Sequence, residues 1–242
     1  MPLRDHFHPP LSTQVSWEGF HALWPGMLTV RLNAILPAGF RAEPRVHLGA
    51  LFEIDVAGFE RDEMTGRTDT TDGGVATAAL VAPHPTLTAD ADLSQPYEYE
   101  VQLYDESRGR TLVAAVEIVS PGNKDRPEAR RVFAAKCAAL VRQGVCVAVV
   151  DVVTDRSANL YADTLDQLGL SDPTLGTEPP GIYAAAFRRR PVKGKPKLDA
   201  WSYPVRIGQP LPSLPLWLTD TRWVPLDLEA GYEDTCRGLG LT

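Results

Sequence analysis

Val113-Ala-Ala-Val-Glu-Ile-Val119 and Val145-Cys-Val-Ala-Val-Val-Asp-Val-Val153 are two nearly continuous apolar runs, the first interrupted by Glu117 and the second by Asp151. Runs of this length and composition are strands buried on both faces. Between them, Ser120-Pro-Gly-Asn123 supplies turn chemistry, Asp125 can cap a helix, Pro127 suits a first helical turn and Gly144 is a good stop. The spacing therefore predicts a helix over 127–143 and a strand–helix–strand unit whose two strands run parallel with a right-handed crossover.

A carboxylate inside such a strand is costly unless it is paired or holds a metal, so core packing does not account for Glu117. It lies near the strand's carboxyl end, where open α/β sheets place their ligands. On the predicted helix, Phe133, Cys137, Leu140 and Gly144 form one face, and Lys136 sits on its flank, so its amine can reach over the sheet toward Glu117. Taken singly, the blander readings are that Glu117 pairs with a core arginine and that Lys136 snorkels to solvent.

Val116-Glu-Ile-Val-Ser-Pro121, the helix carrying Lys136, and the strand ending Val149-Val-Asp-Val-Val-Thr154 together resemble the core of the Uma-type restriction-endonuclease-like proteins of the PD-(D/E)xK nuclease superfamily. Ser16-Trp-Glu-Gly-Phe20, Glu43-Pro-Arg-Val-His-Leu-Gly49 and Phe52-Glu-Ile-Asp-Val56 resemble more closely a domain-of-unknown-function family held to share that fold, which brings no activity with it. The resemblance implies an α/β fold, a single domain with a mixed central sheet, flanking helices and a restriction-endonuclease-like core. It implies Asp55 as the superfamily aspartate, Glu117 as the strand acid, and Lys136 as a lysine displaced to the helix, because Val119 stands where the strand lysine usually lies.

Composition sets the frame. With 242 residues, 44% hydrophobic and 23% charged, the chain can bury one substantial core. No run is long enough to span a bilayer and the first ten residues lack a secretion signal, so the expectation is a cytoplasmic protein with no membrane partner. Cys137, Cys146 and Cys236 are widely spaced in apolar patterns and read as reduced core residues. A net charge of −7 argues against broad, nonspecific nucleic-acid affinity. No phosphate-binding glycine loop, dinucleotide fingerprint, nucleophile elbow or His-Glu-x-x-His motif occurs.

From the start of the chain, His6 and His8 read as a frayed terminus, Ser16 caps a helical turn, Pro25 restarts it, and Leu28, Leu32, Ile35 and Leu36 make an apolar stripe. Strands are expected near 41–48, 51–58, 98–104 and 111–119, with Glu53 and Asp55 sharing a face of the second. The stretch 61–95 reads as a turn-rich insertion. Strand 97–104 should pair antiparallel with 111–119, leaving Glu98 and Glu100 solvated on a wet face. The core spans about 16–170. In the extension 171–242, islands at 182–187 and 201–207 suggest a hairpin over one end of the sheet, joined by the basic loop 188–197, and Asp227 caps a last helix carrying Leu228, Tyr232 and Cys236.

The expected site is thus Asp55, Glu117 and Lys136. The two carboxylates and the backbone oxygen of Ile118 offer hard ligands to Mg²⁺ or Mn²⁺, and the chemistry is phosphodiester hydrolysis of DNA or RNA. Lys124, Arg126, Arg130 and Arg131 would hold the phosphate backbone beside it, with help from 188–197. The competing expectation is an inert fold that binds a protein or nucleic acid. The sequence leaves the oligomeric state open, a homodimer included.

Overall fold

The computed structural model describes residues 2–48, 97–175, 178–192 and 195–241. The predicted 51–58 strand and the 61–95 insertion, and with them Asp55, lie outside the described residues. Six strands form one mixed sheet in chain order: β1 (Phe40–Leu48), β2 (Tyr97–Asp105), β3 (Thr111–Ile118), β4 (Cys146–Asp151), β5 (Tyr183–Val192) and β6 (Lys195–Pro204). Every neighbouring pair is antiparallel except β3 and β4, which are parallel. That exception is the predicted crossover. It is made by a short helix α2 (Pro121–Asp125) and the longer α3 (Pro127–Arg142).

Local chemistry explains these elements, with one adjustment. Ser120 and Asn123 form a reciprocal capping box that starts α2, while Asp125 ends α2 instead of capping α3. The α3 helix begins on Pro127, whose missing N–H costs nothing at a first turn. On the other side, α1 (Trp17–Ile35) starts with the Ser16 side chain accepting from Gly19 N and runs unbroken through Pro25. Its buried residues Phe20, Trp24, Leu28 and Leu32 recur every four positions, so tertiary packing holds the helix across the proline.

Period-two alternation then sorts the sheet into two cores. Val101, Leu103, Ala114, Val116, Ile118, Ala148, Val150 and Ala186 face α1, α5 (Leu228–Gly238) and the ribbon of β7 (Ser213–Trp217) and β8 (Trp223–Asp227). Ala115, Val119, Val147, Val149, Ala185 and Phe187 face α3 and α4 (Leu160–Gln167). The result is three layers around one sheet.

Two expectations about the extension change. The 183–204 hairpin does not cap an end of the sheet but adds two strands to it beyond β4, and most of the basic 188–197 segment belongs to those strands. The N-terminus is not frayed either. Leu3 exchanges backbone hydrogen bonds with Gly208 and Gln209, and His6 is buried.

Candidate functional site

Glu117 on β3 stands directly opposite Glu100 on β2, and both side chains lie on the face covered by α3. Burial is nearly complete, at 3% exposure for Glu117 and 1% for Glu100. Lys136 comes down from α3 between them. Its Nζ donates to Glu100 Oε2 at 2.8 Å and to Glu117 Oε2 at 3.0 Å. Glu117 Oε1 is also 3.0 Å from Nζ but receives no directed hydrogen bond. At 27% exposure, Lys136 is the member of the cluster that solvent reaches.

Among the described residues, two carboxylates face this one ammonium in a largely dry setting. Burial pushes the Glu117 carboxyl well above the usual range, the Lys136 ammonium pulls it back, and neighbouring Glu100 raises it again. Away from α3 the same face of the sheet stays polar. The Gln102 amide donates to Glu100 Oε1, the Tyr104 hydroxyl donates to Gln102, and the exposed Arg45 donates to the Tyr104 hydroxyl at 3.0 Å.

The expected site residues divide. Glu117 and Lys136 meet as their spacing predicts. The Ile118 carbonyl, an expected metal ligand, is engaged from α1, accepting from His21 Nε2 at 2.9 Å. Burial lowers the His21 pKa to about 4, so the ring is neutral and a dipole, not a charge, faces that oxygen.

Lys124 is not a surface cation. Its side chain is fully buried, with Nζ 2.9 Å from Asp151 Oδ2 and 2.8 Å from the Gly181 carbonyl, and it ties α2 to β4 and to the residues before β5. Lys124 thereby also explains Asp151, the second charge in the quoted strands. Arg130 is held bidentately by Asp163, and Arg131 donates one hydrogen bond to Glu128, so each guanidinium faces a carboxylate. Arg126 is exposed at the start of α3.

Glu100 is the residue that sequence reasoning missed. Alternation correctly puts it opposite Val101 and Leu103, but that face is wet only where no helix covers it. The available signal is hairpin register. Pairing 97–105 with 111–118 through the intervening turn sets Glu100 across from Glu117, and two like charges directly opposed in a sheet demand a counter-charge.

No family model, curated protein or solved structure matches this chain. The chemistry of the donors therefore carries the argument. Hard carboxylate oxygens on two adjacent strands suit Mg²⁺ or Mn²⁺, which need only one or two protein carboxylates when water and substrate supply the rest. Glu117 Oε1 is buried without a directed hydrogen bond, and the cation already beside it is the Lys136 ammonium at 3.0 Å. Among the described residues, no three His, Cys, Asp or Glu side chains gather as a metal cage. Among the described residues, two carboxylates and a lysine meet at this point of the sheet.

Proposed function

We propose that this protein is a divalent-metal-dependent nuclease with a restriction-endonuclease-like core, hydrolysing phosphodiester bonds in DNA or RNA. The observation that carries the reading is the convergence of Glu100, Glu117 and Lys136 from β2, β3 and the crossover helix onto one buried point. It agrees with what the resemblance implies for Glu117 and Lys136 and adds Glu100 as the second carboxylate. Asp55 keeps the role that the resemblance implies for it.

Glu100 and Glu117 would hold Mg²⁺ or Mn²⁺. Such an ion, when bound, activates a water molecule and neutralises charge developing on the phosphoryl group. The chain's own contribution is electrostatic. Lys136, already within hydrogen-bonding distance of both acids and open to solvent, orients the nucleophile and screens the approach of an anionic backbone toward two carboxylates. Burial of the acids in advance keeps their reorganisation small.

One observation favours a second reading, an inert fold that binds a protein or nucleic acid: Lys136 already closes an ion-paired cluster with both acids. The two readings separate by experiment. Metal at 100-fold over its Kd adds about 2.7 kcal/mol of stability, read as a rise of roughly 5–10 °C in Tm for a chain of this size. Wild type and Lys136→Met should show that rise with Mg²⁺ or Mn²⁺, while Glu117→Gln and Glu100→Gln should not. Cleavage of plasmid, linear duplex or single strand should be lost in all three variants, with Asp55→Asn tested alongside. If wild type neither gains stability with either metal nor cuts any substrate, the inert binding module is the correct reading.

A further inference from the structure

At the other end of the sheet, beside the amino ends of β3 and β4, lies a cavity of about 380 Å³ lined by Arg108, Arg188 and Arg189, with Gln143, Trp217 and Thr219 among the other walls. That volume is in the range of small-molecule sites. The three guanidiniums come from separate places in the fold. Arg108 ends the turn between β2 and β3, while Arg188 and Arg189 sit on β5.

Two of them are oriented without being neutralised. The Arg188 guanidinium stacks 3.5 Å from the centre of the Trp217 ring and donates to the backbone oxygen of Asp220. Arg189 donates to the backbone oxygen of Arg142 at 3.2 Å. Carbonyl oxygens and an aromatic face fix direction but leave the positive charge in place, unlike the carboxylates that hold Arg130 and Arg131. Arg108 is exposed, and its side chain has no ion pair among the described residues. Among the described residues, the lining holds one acidic side chain, Asp220, against three arginines. The cavity therefore presents cations, and what it lacks is an anion with several acceptor oxygens.

We infer that this cavity is a binding site for the phosphate group of a nucleotide-sized ligand, separate from the acidic cluster and independent of any metal there. Arg188, Arg189 and Arg108 clamp the phosphate oxygens, and Gln143 and Thr219 are the polar groups available to the rest of the ligand. The phosphate belongs either to a free mononucleotide or to the 5′ end of a strand.

The test uses the full chain in EDTA, so that failure of the metal reading does not touch it. Calorimetric titrations at about 50 mM salt would use AMP, adenosine, and a tetranucleotide with and without a 5′-phosphate. The expected result is that AMP binds and adenosine does not, and that binding weakens as salt rises. Arg108→Gln, whose side chain supports nothing else, and Arg188→Gln should each weaken AMP by roughly tenfold or more. Binding of the 5′-phosphorylated tetranucleotide but not its 5′-hydroxyl form assigns the phosphate to a strand end, and binding of AMP alone assigns it to a free nucleotide. Absence of binding by every phosphate-bearing probe, or AMP affinity unchanged in a folded Arg108→Gln protein, overturns the proposal.

Discussion

His6 shows how one residue near a chain end can be fixed by the core. Its Nε2 lies 3.0 Å from the Tyr232 hydroxyl, its ring centre is 4.0 Å from that of Phe20, and the Arg4 amide donates to the same hydroxyl at 3.0 Å. Burial lowers its pKa from 6.5 to about 4, so the folded protein holds the ring neutral. Between those two values the unfolded chain binds a proton that the folded chain refuses. The stability His6 contributes is therefore full above pH 6.5 and is lost as pH falls toward 4. Chemical denaturation of wild type and His6→Gln at pH 7.5 and 4.5 should show the wild-type advantage shrinking by about 2 kcal/mol at the lower pH. A constant difference would mean that the ring titrates normally. Nothing in His6-Phe-His8 signals this, because the partners that bury the ring, Phe20 and Tyr232, are distant in sequence. Glu117 is legible for the opposite reason: it breaks a strong local pattern, and Lys136 lies on the flank of the helix face that packs over it.

Among the elements, the contact between α1 and α5 is set by a missing side chain. A Cβ placed on Gly231 would lie 2.4 Å from Leu28 Cδ2 and 3.2 Å from Leu28 Cγ. Alanine gains about 1 kcal/mol over glycine in a helix interior, but Leu28 is fully buried beside Trp24 and cannot swing clear without disturbing the core. Overpacking wins. Gly231→Ala should lower stability by about 1–3 kcal/mol in thermal unfolding, and the double variant with Leu28→Ala should lose less than the sum of the two single losses, because the shortened side chain vacates the space the new methyl needs. Most element types could be read from caps and periodicity: Ser16 and Asp227 start their helices as expected, and the apolar runs made the parallel pair. The basic 188–197 stretch was read as a loop because Pro191, Gly194, Pro196 and three arginines break both periods. Residues 183–187 pair with β4 and the hairpin continues through the pairing of 188–192 with 195–199, so the segment is carried into the sheet by pairing that local sequence patterns do not report.

For the whole molecule, the single sheet with a separate apolar core on each face raises the question of whether the faces unfold together. Strands β3, β4 and β5 contribute alternate residues to both cores, so neither layer can detach without exposing the back of the other. One cooperative transition follows. Leu28→Ala opens a cavity on the α1 side and Phe133→Ala opens one on the α3 side, each costing about 2–5 kcal/mol. The two residues sit on opposite faces and belong to different cores, so their effects should add to within about 0.5 kcal/mol in the double variant. Both single variants should shift the same denaturant midpoint, monitored by tryptophan fluorescence and by far-ultraviolet circular dichroism. Trp17 and Trp24 report the α1 side, while circular dichroism averages over both layers. If Phe133→Ala moves the circular dichroism curve and leaves the fluorescence curve in place, the α3 layer is a separate unfolding unit. The acidic cluster, which lies between that layer and the sheet, could then open by local unfolding without loss of the fold.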